Sequence, residues 1–170
     1  MKNILVIMVV LFSMAVSANP GSHGTTSELK SLSQHEIEGY LNGSGMGFSK
    51  VAELSHFPGP RHVLDLKAEL GLTKNQIDES QRIYEAMNGT AKRYGSRLVA
   101  KERAIELLFS SQQVDAAELD MLVKEAAMLE AQIRLSHLDA HISQKHLLSE
   151  TQIKKYDEIR GYSTGHQHHH

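Results

Sequence analysis

Apolar residues recur at alternating three- and four-residue steps in two long stretches of this sequence, separated by one short break at 110–114. The first stretch fills its two heptad positions with Ile77, Tyr84, Ala91, Leu98 and Ile105, and with Ser80, Met87, Tyr94, Lys101 and Leu108. The second fills them with Leu119, Ala126, Ile133, Ala140 and Leu147, and with Leu122, Leu129, Ser136 and Ser143. Such spacing places an apolar seam along one side of a helix. It predicts an all-α fold in which two long helices, near 73–109 and 115–147, form an antiparallel hairpin with short flanking helices.

Two similar pentads mark predicted helix starts: LTKNQ at 72–76 and LSETQ at 148–152. Each has a hydroxyl residue where a helix should begin and a glutamine three residues later. In such a capping box the hydroxyl accepts a hydrogen bond from the amide three residues on, and the glutamine reaches back to the capping residue. The second pentad predicts a short closing helix over about 150–160.

Composition excludes several classes of function. The chain has 170 residues, no cysteine, and 18 Lys and Arg against 20 Asp and Glu, which gives a formal net charge of −2. This is the size of one small domain, and it has no disulfide framework, thiolate nucleophile or cysteine-ligated metal. Without a broad cationic surface, nucleic acid is not an expected partner. No hydrolase motif or close carboxylate group occurs, so we do not expect an enzyme.

The N-terminus has the pattern of a secretory signal peptide over residues 1–18. Lys2 is followed by an apolar run from Ile4 to Val16, and cleavage is expected after Ala18. The run is too short to span a bilayer, so we expect a periplasmic protein with no stable membrane insertion. Residues 19–33 are small and polar and predict a flexible lead, 34–162 predict a single helical domain, and 163–170 form a histidine-rich tail.

A single hairpin buries only one seam on each helix, and residues 34–70 are too few to cover the apolar surface that remains. Symmetric self-association is the commonest way for one chain to bury such a surface. The sequence therefore predicts a homodimer, in which the hairpins form a cradle or bundle.

Two such pentads around a long hairpin, behind a signal peptide, resemble the LTxxQ-containing Spy/CpxP family of periplasmic proteins, with its zinc-resistance-associated and nickel/cobalt-sensing relatives. The resemblance spans about 58–162, with Ser149 replacing the threonine of the second pentad. Residues 34–60 look like the branch labelled periplasmic heavy-metal sensor. The resemblance implies a dimeric, non-enzymatic protein. Such a protein binds transition metals or senses them for a membrane signalling partner, or it shields unfolded proteins on an apolar concave face without metal.

The candidate metal ligands are histidines. His137 and His141 are four residues apart, so they project from one helical face, although two ligands alone do not make a closed site. The resemblance implies that this pair binds a metal with a ligand from the helix before the first pentad, where this chain has His62. The relatives have a second histidine where this chain has Pro58, and the nearby His56 is the substitute.

Hairpin geometry adds two weaker candidates. A turn near residue 112 brings Met87 opposite His137, where Met87 fills the core or offers copper a thioether. Glu79, near the open end of the hairpin, could supply an oxygen ligand. The residues do not distinguish zinc, nickel, cobalt and copper. The competing interpretation is that both histidines are ordinary helix residues and that only the tail binds metal.

Overall fold

The computed structural model describes residues 29–162. The predicted signal peptide (1–18), residues 19–28 of the predicted lead and the histidine-rich tail lie outside the described residues. Six helices follow one another: α1 (Gln34–Asn42), α2 (Lys50–Leu54), α3 (Pro60–Asp65), α4 (Lys74–Ser110), α5 (Ala116–Leu147) and α6 (Glu150–Arg160). Three quarters of the described part is helical and it contains no strand, which confirms the all-α prediction. None of the helices within 29–162 is both long and apolar enough to cross a membrane.

Helices α4 and α5 form the predicted antiparallel hairpin, and their ends agree with the sequence-based boundaries to within one residue. The predicted register is also confirmed. Met87 Sδ lies 3.1 Å from His137 Nδ1, and the Gln144 amide donates to Ser80 Oγ over 3.0 Å. At the turn, the Asp115 carboxylate accepts hydrogen bonds from the first amides of α5 and begins that helix.

The half of the hairpin near the turn holds the main aliphatic core, formed by Ala91, Leu98, Val99, Ala126, Leu129 and Ile133. Tyr40 of α1 packs onto this core. Gly95 is buried in α4, and a Cβ atom there would overlap the Tyr40 carbonyl. The glycine therefore allows the backbone of α1 to lie directly against α4.

The two pentads contact each other. Thr73 and Ser149 each form the predicted capping box with their glutamines. Those glutamines also bind reciprocally, since Gln76 Nε2 donates to Gln152 Oε1 over 2.9 Å and Gln152 Nε2 donates to Gln76 Oε1 over 3.1 Å. Gln76 Nε2 also contacts the Leu147 carbonyl at 3.0 Å. We call this double contact the glutamine clasp; it joins the first turns of α4 and α6.

Pro60 in the sequence predicts the first residue of a helix that runs to about Leu70, and helix α3 is shorter than this. It begins at Pro60 as expected but ends at Asp65 rather than near residue 70, and turns follow up to Gly71, which has φ +62°. The turns bring Leu70 into a second core, with Val63, Leu148 and Tyr156. Leu70 is thereby removed from solvent against Leu148 and Tyr156, which favours this end of α3.

Contacts with the hairpin begin before the predicted start of the domain at residue 34. Leu29 is buried, the Lys30 amide donates to Glu106, and the Ser31 hydroxyl donates to Glu102. Residues 29–33 therefore lie against α4. The homodimer stays a prediction.

Candidate functional site

A cleft of about 760 Å³ lies between the loop that joins α1 to α2, helix α3 and the open half of the hairpin. Four of the six predicted ligands line it: His62, Met87, His137 and His141. The hairpin supplies three of these side chains and α3 supplies His62. The fold thus brings residues from 62 to 141 around one cavity.

His137 is 3% exposed, and its ring stacks on Phe48. Its Nδ1 lies 3.1 Å from Met87 Sδ, and a thioether can only accept a hydrogen bond, so the ring proton belongs on Nδ1. Nε2 is buried and has no hydrogen-bond partner within 29–162. Burial, and then the charge of His141, lower the pKa of His137, although the Ser44 backbone opposes the shift. The imidazole is therefore neutral, and the lone pair of its Nε2 atom has no hydrogen-bond partner in the described part of the chain.

His141 is 4% exposed and its Nδ1 donates to the Phe57 carbonyl over 2.8 Å, which leaves Nε2 as the nitrogen with a free lone pair. Burial lowers the pKa of His141, and the Phe57 carbonyl and the Glu53 carboxylate oppose the shift. Gly59 separates His141 from Glu53. A Cβ atom at position 59 would lie 3.1 Å from His141 Nε2 and 2.8 Å from Glu53 Oε1. Both atoms therefore face the small gap that this glycine leaves.

Glu53 is a buried carboxylate that lines the cleft. It is 7% exposed and accepts hydrogen bonds from His62 Nδ1 at 2.9 Å, from the Tyr156 hydroxyl at 2.9 Å and from the Tyr162 hydroxyl at 2.8 Å. Arg160 lies 3.5 Å from its second oxygen. Burial alone would raise the pKa of Glu53, but the hydrogen bonds from His62, Tyr162 and Tyr156 outweigh it and lower the pKa to about 2. Glu53 is thus an ionised carboxylate that orients His62.

The three histidines share one arrangement. In each of them Nδ1 contacts a group of the fold. The partner is the Glu53 carboxylate for His62, the Phe57 carbonyl for His141 and the Met87 sulfur for His137. Histidines that bind metals through one nitrogen commonly donate the other N–H to a carboxylate or a backbone carbonyl, which fixes the tautomer and the ring plane. The three rings therefore have Nε2 as the nitrogen for a ligand.

The two remaining predicted ligands lie elsewhere. His56 Nδ1 contacts Asp157 Oδ2 at 2.7 Å and does not line the cleft. Glu79 is half-exposed on α4 and pairs with Arg82, one turn along the same helix. Across residues 29–162, no three His, Cys, Asp or Glu side chains are grouped as a metal site. His62, His137 and His141 thus share a cleft without converging on one point.

Sequence reasoning missed Glu53, Tyr156, Tyr162 and the Phe57 carbonyl. Glu53 belongs to a helix of five residues, too short for a periodic pattern, and its tyrosine partners lie about one hundred residues further along the chain. A backbone carbonyl leaves no mark in a sequence. Gly59 stands between Pro58 and Pro60, a context that predicts a turn but no site.

Comparison of the chain with protein-family models, with curated proteins and with solved structures finds no match. The resemblance to the Spy/CpxP family rests on the two pentads, the hairpin and the N-terminal pattern.

Proposed function

We propose that this chain is a periplasmic, metal-binding, stress-responsive protein of the Spy/CpxP type. In this role it binds a transition metal in the cleft and acts in heavy-metal sensing or resistance, with a membrane signalling protein as the recipient of the signal. Its action is binding and not catalysis. The arrangement of His62, His137 and His141 around one cleft, each with Nδ1 held by the fold, is the observation that carries the proposal.

The chemistry of these donors suits the proposed ions. Neutral imidazole nitrogen is a good ligand for zinc, copper, nickel and cobalt. Met87 contacts His137 Nδ1, so its sulfur orients the ring and does not bind an ion held by Nε2. Burial lowers the pKa of both His137 and His141, so they stay unprotonated below the pH at which free imidazole gains a proton. Metal affinity should therefore persist at pH 6.5 and fall only at lower pH.

The tail must be removed from the measurement because its clustered histidines bind nickel and zinc by themselves. We define the tail-substituted protein as the full-length chain in which the four tail histidines are replaced by serine: His166, His168, His169 and His170. Calorimetric titration of this protein at pH 7.5 with zinc, nickel, cobalt and copper measures binding by the remainder of the chain.

The decisive variant of the tail-substituted protein is His137→Ala with His141→Ala. We expect it to bind its preferred metal about 100-fold more weakly or not at all, because loss of the ligands should cost at least as much as loss of the groups that orient them. The matched control is His35→Ala with His146→Ala, two exposed histidines that do not line the cleft. Equal affinity in the two double variants, or no binding by their parent, would refute the proposal.

One observation favours a second candidate function, a metal-independent holdase that binds unfolded proteins. Four large apolar side chains on α5 are 45–65% exposed and follow one another at seven-residue intervals: Met121, Met128, Leu135 and Ile142. Residues seven apart lie on one side of a helix, so they form a continuous apolar stripe. Such a stripe suits either an unfolded client or the second chain of the proposed homodimer.

A single charge in the stripe tests this candidate. Leu135→Glu should abolish suppression of aggregation of a chemically unfolded client in the presence of EDTA, or should convert a dimer to a monomer in light scattering at tens of micromolar. Gln113→Glu adds the same charge at the exposed turn and is the control. If Leu135→Glu changes neither property, the stripe is not a contact surface.

A further inference from the structure

We propose that the cleft binds its metal ion together with a small anionic chelator of the α-hydroxy- or α-amino-carboxylate class. This inference rests on the proposed metal binding and adds a second ligand. The histidines would then complete the coordination of an ion that the chelator already holds by two donor atoms.

The size of the cleft is the first argument. Metal–nitrogen bonds are about 2 Å long, so a structural site closed by four protein ligands leaves little space around the ion. The cleft here measures about 760 Å³, within the range of cavities that hold small organic ligands. It therefore has space for an ion with a chelator of a dozen or so heavy atoms, as well as the water that bridges them.

The donors are the second argument. Three imidazoles line the cleft without converging on one point, so an ion bound by the pair His137 and His141 has two positions open if it is four-coordinate and four if it is six-coordinate. The Nε2 atom of His137 is nine-tenths buried, lines this cavity and has no partner in the described part of the chain. A buried nitrogen without a partner costs free energy unless a ligand supplies one.

Charge is the third argument, and it selects an anion. The cleft is lined by two cations, Lys50 and Arg61, and by two carboxylates, Glu53 and Asp65. Glu53 is already bonded to two tyrosines and a histidine. Adding a divalent ion makes the lining positive by two charges, and the cations Lys50 and Arg61 favour an anionic chelator there.

The test compares two chelators of opposite charge. Nickel is titrated into the tail-substituted protein alone, in citrate and in ethylenediamine, each chelator at a concentration that should weaken apparent nickel affinity about 100-fold by simple competition. With citrate we expect a loss of less than about 10-fold, which corresponds to an ordinary coupling between two bound ligands. With ethylenediamine, which is neutral or cationic, we expect the full loss. Retention of isotopically labelled citrate with the protein, one per nickel, should accompany the smaller loss.

A variant then tests the charge argument. Lys50→Gln with Arg61→Gln should not weaken nickel binding in the absence of a chelator, because it removes only positive charges from the lining, and it should restore the full competition by citrate. Lys154→Gln with Lys155→Gln, two exposed lysines of α6 that do not line the cleft, should behave as the parent. Full competition by citrate in the parent would overturn the ternary complex while leaving metal binding intact. Loss of nickel binding in the absence of any chelator would refute the proposed function itself.

Discussion

The two halves of the hairpin are built from the same two helices but bury opposite kinds of side chain. Near the turn, the seam is aliphatic, with Ala91 and Leu98 on α4 facing Ala126, Leu129 and Ile133 on α5. Toward the open end, the same register pairs Ser80 with Gln144 and Met87 with His137, and His141 is buried beside them. Aliphatic and polar side chains are thus separated along one helix pair: the turn half buries the first and the open half the second.

The open half carries an energetic cost that the turn half does not. Gln144 Oε1 and His137 Nε2 are buried without a partner in the part of the chain that the structure describes. An unpaired buried polar atom costs about 1–3 kcal/mol. Within residues 29–162, no side-chain nitrogen or oxygen of the aliphatic half is buried in this way, so the comparison predicts that the two halves respond differently to substitution and to pH.

The largest effect should come from a cavity in the turn half. Ile133→Ala removes a side chain that is 1% exposed, and we expect it to lower the free energy of unfolding by about 2–5 kcal/mol. Denaturant unfolding followed by circular dichroism measures the change. Leu135→Ala, on the same helix but 48% exposed, is the control and should cost less than about 1 kcal/mol. Similar losses in both variants would show that the seam near the turn is not the stabilising core.

Lowering the pH should destabilise the contacts at the open half of the hairpin. The pKa of Glu53 falls from an ordinary value of 4.5 to about 2 in the fold. A carboxylate with a lowered pKa contributes stability above its unfolded pKa and loses it as the pH falls toward the folded value. In EDTA, we expect a loss of roughly 3 kcal/mol between pH 4.5 and pH 2, which Glu53→Gln should remove.

The histidines produce a separate loss at higher pH. Burial lowers the pKa of His137 and His141, so the unfolded chain takes up protons first as the pH falls below about 6.5. Unfolding is then favoured, and stability declines between pH 6.5 and the folded pKa values. Unfolding measured at half-unit steps of pH should show this decline in the parent, and His137→Gln with His141→Gln should flatten it. A decline that persists in this variant would contradict the assignment.

Sequence alone predicts the parts of this structure that rest on local signals. The 3-4 spacing gives both long helices, the hydroxyl–glutamine pairs give their starts, and the position of the turn gives the contact between Met87 and His137. The remainder rests on contacts between distant residues. Nothing near Glu53 in sequence predicts its bonds to Tyr156 and Tyr162, because those bonds depend on where α6 docks.

The glutamines of the two pentads show the same limit of prediction from sequence. As capping boxes they are complete within five residues, and the sequence therefore predicts helix starts and nothing more. The structure adds the glutamine clasp, because α6 turns back along the open end and places Gln152 against Gln76. The spacing within a pentad predicts that each glutamine caps its own helix. It does not predict the hydrogen bonds between the two glutamines.

Substitutions in the glutamine clasp, at the open half of the hairpin, should lower stability by a moderate amount. We expect Gln76→Ala and Gln152→Ala each to lower the free energy of unfolding by about 1–2 kcal/mol, through the lost cap and a lost side-chain bond. The double variant should lose about 1 kcal/mol less than the sum, because each single variant already breaks the clasp. A double-mutant cycle in urea measures this coupling. Additive losses would show that the two caps act independently.

The smallest effect should distinguish two glycines of α4, one on each side of the boundary between the halves. Around Gly89 no neighbouring atom lies within 4 Å of where a Cβ would be, whereas at Gly95 a Cβ would overlap the Tyr40 carbonyl. Glycine in a helix interior is less favourable than alanine by about 1 kcal/mol, so Gly89→Ala should raise the free energy of unfolding by up to that amount. Gly95→Ala gains the same propensity but displaces α1 from the aliphatic half, and the net effect should be destabilising. Thermal unfolding of the two single variants measures the difference, and stabilisation by Gly95→Ala would show that α1 does not pack on the hairpin at this position.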